Sequence, residues 1–453
     1  ALGLFEISNV NFRNRLQHGA IRLRASRLQQ LVRLEYLDPR FARYNKTQFA
    51  PLAASVEYMR DSTVTRFFRS AIDRGTMGIV QRLDEDGNPI NIFGERVNEP
   101  TINRFTAALE TQRVLDRRTR TIIFGRVSYE DVRLYNLESL VVRPILEPDK
   151  KVRLARIGAS FVRDTRERCE RGLLPTRSTD DDDERAGEPG EVCRYNQVDA
   201  TRGGFLSVDY AVALRQLGGN ISFNRFQTTY RRYYKMSAFR DTVFAGNVTL
   251  GLANVFNPRD RDENGTIDEI DLTLPISERF FSGGSTTLRG FSFEEAGPRE
   301  AIIPLGLFRD RERNLVVLNP FTVPVGGNAL AVVNLEARVP LTRTTQIVPF
   351  YDGGNVFRRV GDLFGRSDPT PVPPGDILAF IKAENLKTKW SNTVGLGLRW
   401  QTPIGGALAV DYGFLLNPPE FLIPQRGPGG FDGTPAVFRL HRTALHFRIT
   451  QTF

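Results

Sequence analysis

The chain has 453 residues, 40% hydrophobic and 25% charged, enough for one large domain or two ordinary ones. Its mean hydropathy is −0.30 and no apolar run reaches eighteen residues, which excludes a helical membrane protein. The formal net charge is +10, but the arginines are spread along the chain and not gathered in one tract, which counts against a nucleic-acid partner.

From the N-terminus onward, segment after segment alternates with period two. "AIRLRA" sets Ile21, Leu23 and Ala25 against Arg22, Arg24 and Ser26, and "LVRLEYL" sets Val32, Leu34 and Tyr36 against Arg33 and Glu35. Strands are predicted near 4–14, 19–28, 30–41, 49–62, 103–115, 121–135 and 151–164. Cys169 and Cys193 then flank an acidic, Gly/Pro-containing insert. In an oxidising compartment they close one disulfide; in the cytosol they are two ordinary thiols. The pattern resumes near 203–216, 219–235 and 242–256, where Leu206, Val208 and Tyr210 oppose Ser207 and Asp209. A long loop, 257–325, separates these from strands near 326–341, 345–357, 386–403, 405–417 and 436–453. There Val394, Leu396, Leu398 and Trp400 oppose Gly395, Gly397 and Arg399, and Leu408, Val410 and Tyr412 oppose Ala409 and Asp411.

One face is almost unbroken apolar surface and the other carries full charges and glycines. A soluble sandwich buries its apolar face and shows mixed polar residues outside. A membrane barrel turns its apolar face to lipid and its charged face to a hydrated lumen. Connections that alternate between short and long fit periplasmic turns and outer loops. The reading is therefore all-β, a transmembrane antiparallel β-barrel over residues 1–453. Fifteen strands are counted, and bacterial single-chain barrels have even numbers. A sixteenth strand, the first of the barrel, is expected upstream of Ala1.

Inside the long loop, "DRDENGTIDEID" has the spacing of a calcium loop. Asp260, Asp262, Asn264, Thr266, Asp268 and Asp271 fall on the ligand positions, and Gly265 on the sharp bend. The last position is normally Glu, and no helix leads in, so a solvated acidic tip is the competing reading. The histidines, His18, His441 and His446, have no metal-site spacing with the cysteines, and neither a nucleophile elbow nor a phosphate loop is visible. No enzyme activity is expected.

Five stretches occur in an order that resembles the outer-membrane insertase and transporter superfamily of BamA, TamA and the two-partner secretion transporters, with BamA the nearest in pattern. They are "GGSTTLRGF" (Gly283 to Phe291), "NLEARVPL" (Asn334 to Leu341), "VPFYDGGNVF" (Val348 to Phe357), "VGLGLRWQTPIGGALAVDYGF" (Val394 to Phe414) and the closing "LHFRITQTF". The resemblance implies that the long loop is loop six, folded back into the lumen, with Arg289 at its tip paired to wall carboxylates. Parity independently places Asp352 on one face with Phe350, and Glu336 on one face with Asn334 and Arg338. A guanidinium fork meets carboxylates bidentately and lysine cannot replace it. Gly290 is expected to let the tip turn, and Phe291 to act as an apolar plug. Phe447, Ile449 and Phe453 resemble a terminal-strand signal.

The family implies an integral protein of the bacterial outer membrane that folds and inserts β-barrel proteins through a seam between its first and last strands. Unfolded outer-membrane β-barrel proteins, periplasmic or lipoprotein accessory subunits and lipid are the implied partners. Upstream POTRA domains, absent from this chain, would receive clients. No cofactor is required, calcium apart. The alternatives are a TamA-like or two-partner-secretion transporter, or a passive channel or structural barrel. Strand parity puts the Cys169–Cys193 insert on the periplasmic side, which selects the disulfide.

Overall fold

The computed structural model describes the chain except residues 1, 13, 27–28, 45–47, 62–81, 172–190, 240, 262–264, 305–307, 310–314, 317–318, 343, 367–371, 402–405, 428–429 and 452–453. Fifteen strands form one antiparallel sheet in which chain neighbours are sheet neighbours. They are β1 Leu2–Phe12, β2 Gln17–Ser26, β3 Gln29–Arg43, β4 Phe49–Asp61, β5 Thr101–Asp116, β6 Thr121–Tyr135, β7 Lys151–Asp164 and β8 Gly203–Ala213. They continue with β9 Phe223–Met236, β10 Thr242–Val255, β11 Ala329–Pro340, β12 Thr345–Phe357, β13 Ser391–Gln401, β14 Gly406–Leu415 and β15 Thr443–Gln451. The outer edges of β1 and β15 find no partner among the described residues.

Every strand expected from alternation is present, with two displaced starts. The predicted strand 436–453 begins only at Thr443, because Glu420–Gly427 and Gly430–Arg439 pair as a separate hairpin. The predicted strand 386–403 begins at Ser391, because Ile377–Leu386 is a helix whose first turn is capped by Asp376.

The sheet is a transmembrane barrel. Its outward face is apolar and open: Val394, Leu396, Leu398 and Trp400 on β13 are 40–50% exposed, as lipid-facing residues of an isolated chain are. The inward face carries Glu130, Arg156, Asn334, Glu336, Asp352, Arg399 and Asp411. Connections 117–120, 237–241 and 341–344 lie on one rim, the periplasmic one by the short-turn rule. Loops 136–150, 214–222, 256–328, 358–390 and 416–442 lie on the other.

The lumen differs from the sequence expectation in one respect. Its outer half is dry. Val132 and Leu134 on β6 and Val152 and Leu154 on β7 point inward and are buried in one apolar cluster with Leu146, Leu274, Phe280 and Leu288 from the loops. The alternation continues there, but the apolar parity switches to the inner face because folded loops, not water, cover it.

Candidate functional site

Loop six enters the lumen from β10 and leaves it at β11. Gly283 and Gly284 adopt φ of 118° and 101°, a left-handed geometry that side chains rarely tolerate, and turn the chain back on itself. The Gly284 N–H donates to the carbonyls of Leu288 and Phe291, and the Phe291 N–H to Leu288, which closes a tight loop around Arg289.

Arg289 projects from that loop onto the wall. Its Nε and Nη2 donate to the two carboxylate oxygens of Asp352 at 2.8 and 2.7 Å, and its backbone N–H donates to Asp352 Oδ2 at 3.0 Å. Nη1 donates to Glu336 Oε1 at 2.6 Å, and the guanidinium lies 3.5 Å from the Phe350 ring centroid. Asp352 is fully buried. A dry, bidentate, stacked pair of this kind requires arginine. Asn334 ties the parts together: its Nδ2 donates to Asp352 Oδ1 at 2.8 Å and to the Thr287 carbonyl at 2.5 Å. His446 Nε2 lies 3.1 Å from the Arg289 carbonyl on the far side, so β15 also touches the tip.

Gly290 is not in the left-handed region, contrary to the turn role expected for it. A Cβ there would stand 2.3 Å from Thr393 Oγ1, so the residue is glycine because the loop backbone rests on β13. The wall reciprocates. A Cβ on Gly413 would meet the Arg289 carbonyl at 2.2 Å, and one on Gly395 would meet the Phe350 ring at 2.2 Å. Gly290, Gly395 and Gly413 thus form a shallow socket between β12 and β15. Phe291 is buried with Leu288 in the loop core. Asp411, 3.9 Å from Arg289, is held by Arg399 at 2.6 Å. Sequence reasoning missed Asn334, Arg399, Asp411, His446, Gly395 and Gly413 as members of the site. The inward Gly-x-Gly spacing of "GLGLRW" was a usable signal for the socket.

A second anchor holds loop six to the opposite wall. Arg156 on β7 bonds Glu278 of the loop at 2.8 Å and Glu130 on β6 at 2.5 Å. Burial pushes the Glu278 carboxyl above its usual range while Arg156 pulls it down. Removing Arg156 strands Glu278 and weakens the support of Glu130. Arg156→Ala should therefore cost about 3 kcal/mol in thermal unfolding, and Arg156→Ala/Glu278→Ala should recover part of it. A double variant as unstable as the sum of the singles would show that the pair is not coupled.

The remaining predicted residues fall as follows. Cys169 and Cys193 form a disulfide between the paired strands Glu167–Arg171 and Glu191–Tyr195 on the short-turn rim. Asp199, just past this hairpin, accepts from Gln401 on β13 at 2.8 Å, so the segment leading into β8 reaches β13. Phe447 and Ile449 face outward, and Phe453 lies outside the described residues. Asp262 and Asn264 of the calcium pattern also lie outside them. Asp260 Oδ2 accepts from the Gly265 N–H, and Asp271 accepts from the N–H groups of Arg261 and Asp268. Asp268 caps the helix Glu269–Leu272. Among the described residues, Asp260, Asp268 and Asp271 do not gather into a metal-sized cluster.

The Omp85 superfamily domain matches residues 193–453. Among solved structures, the chain is similar to BamA from Haemophilus ducreyi lacking POTRA domains 1-3, at 14% identity and a TM-score of 0.56, over 99% of this chain and 67% of that one. It is also similar to CdiB from Escherichia coli, at 11% identity and a TM-score of 0.43, over 100% of this chain and 59% of that one. At 14% identity the likeness to BamA is one of fold.

Proposed function

From membership of the Omp85 superfamily, to which this integral outer-membrane chain belongs, we propose that it folds and inserts other β-barrel proteins at the edge of β15. The observation that supports this reading is the occupied lumen. Loop six is fastened to one wall by Arg289 and to the other by Glu278, so it leaves the sheet edge, not the bore, as the working surface. An edge strand presents a row of N–H and C=O groups that template β-augmentation. A client strand added there satisfies its backbone before it meets lipid. Unfolded outer-membrane β-barrel proteins are the proposed clients, with accessory lipoproteins at the short-turn rim.

The test is disulfide trapping during assembly. Leu445→Cys on β15 should form adducts with a cysteine in the terminal strand of a client barrel, and Gly246→Cys on β10 should not. Adducts that appear instead at inward positions would favour the secretion-transporter reading. Large, steady conductance of the intact protein in a bilayer would favour the channel.

Calcium at the 260–271 loop is a separate proposal. Asp271 would have to release the Arg261 and Asp268 N–H groups, so the site forms only on binding. Calorimetry should show affinity of about 0.1–1 mM in the parent and none in Asp260→Ala. Identical heats would sink it.

A further inference from the structure

The outer wall between β3 and β7 carries two surfaces that neither the loop-six lock nor the β15 edge uses. The lower one is an apolar groove of about 510 Å³. It exists because small side chains interrupt a row of large ones: the register runs Val56, Ala107, Tyr129, Ala155 across β4, β5, β6 and β7. All four share the outward parity, so the groove faces the membrane.

The upper one is a cavity of about 1000 Å³ at the long-loop rim, where the ends of β6 and β7 meet loop six; Arg133, Lys150, Lys151 and Arg259 line it together with the acids Glu147 and Asp260. It begins two rows above the groove. One step up from Tyr129 and Ala155 the outward register pair is Asp131 and Arg153; the next step is Arg133 and Lys151. Successive outward residues lie about 6.6 Å apart along a strand. The charge there is lopsided. Asp131 is taken by Arg133 at 2.8 Å and Glu147 by Arg143 at 2.9 Å. Among the described residues, Lys150, Lys151, Arg153 and Arg259 form no ion pair, and Arg153 Nε is buried without a hydrogen-bond partner.

We propose that this face holds a phosphorylated, acylated lipid of the outer leaflet, its chains in the groove and its phosphates on the Lys150–Lys151–Arg153 cluster. The two surfaces point to one ligand because they are stacked in the order of such a lipid and lie at its depth. The groove belongs to the apolar band and the cations start where that band ends. Lysine and arginine suit phosphate, and of the acids nearby Asp131 and Glu147 are already paired.

The probe is a diphosphorylated, hexa-acylated glucosamine disaccharide at a few per cent in phosphatidylcholine nanodiscs, with bound copies counted by native mass spectrometry after transfer to detergent. The parent should retain about one copy. Lys150→Ala/Lys151→Ala/Arg153→Ala should lower retention at least tenfold, and so should Ala107→Trp, which fills the groove and leaves every charge in place. Arg117→Ala/Arg118→Ala, on the opposite rim, should retain the parent's level. Each variant is first shown to be folded by its heat-dependent shift in gel mobility. Equal retention by the triple variant overturns the proposal, as does an equal loss in the opposite-rim variant. If inorganic phosphate strips the lipid and Ala107→Trp retains it fully, the face is an anion patch and not a lipid site, and the proposal likewise fails.

Discussion

Arg289→Ala should release loop six from the wall. The substitution leaves Asp352 buried with no countercharge and Glu336 with only its neighbouring arginines. Breaking a buried pair on one side costs about 3–5 kcal/mol, because the partner keeps its desolvation penalty and loses its compensation. That corresponds to a rise of a hundredfold or more in the released population. Ser282 reports it: the side chain is buried in loop six, and Ser282→Cys is a small change. Without reductant the Cys169–Cys193 disulfide leaves the introduced thiol at position 282 as the single reactive one. Its labelling by a water-soluble maleimide should be slow in the parent background and at least a hundredfold faster with Arg289→Ala. Arg289→Lys keeps the charge but loses the fork and the stack on Phe350, and should fall between, near tenfold. Arg289→Ala/Asp352→Ala should label more slowly than Arg289→Ala alone, because it removes the stranded carboxylate. An unchanged labelling rate in Arg289→Ala would mean that the pair does not hold the loop.

The strands could be read in the sequence because they rest on a local rule, whereas the Arg289 lock came from the family resemblance, with strand parity in support. Alternation reports which residues share a face wherever one face stays against one solvent, and for the lipid-facing wall that holds along every strand. It predicted the parity of Glu336, Phe350 and Asp352, and hence that they could meet one side chain. The dry outer lumen was not legible. Val132, Leu134, Val152 and Leu154 continue a period of two, and only the position of residues 137–149 and 274–288 reveals what covers them. The late start of β15 was missed for a related reason. The hairpin 420–439 has its own alternation, and nothing local marks where that sheet ends and the barrel strand begins. Gly290 was assigned a turn for its conformational freedom, whereas its need is steric and arises from Thr393, on a strand far along the chain.

Gly413→Ala should loosen the same loop from the opposite direction, by adding one methyl group to β14. Its Cβ would stand 2.2 Å from the Arg289 carbonyl oxygen and 3.1 Å from the Gly290 nitrogen, and the obstacle is backbone, which cannot rotate away. Either the loop tip lifts, which breaks the His446 contact and stretches the Arg289–Asp352 bonds, or β14 bends outward into lipid. Overpacking of this sort costs about 1–3 kcal/mol, so labelling of the Ser282→Cys background should rise roughly tenfold to a hundredfold. Gly246→Ala supplies the contrast: its Cβ would find Leu335 at an ordinary 3.7 Å, and labelling should stay at the parent's level. Combination with Arg289→Ala separates a seating effect from general damage. If Gly413 matters only because the tip rests on it, the double variant should label no faster than Arg289→Ala, since the seat is already empty. If the two effects multiply, Gly413→Ala acts through the strand itself, and the socket is a feature of barrel packing that loop six merely borders.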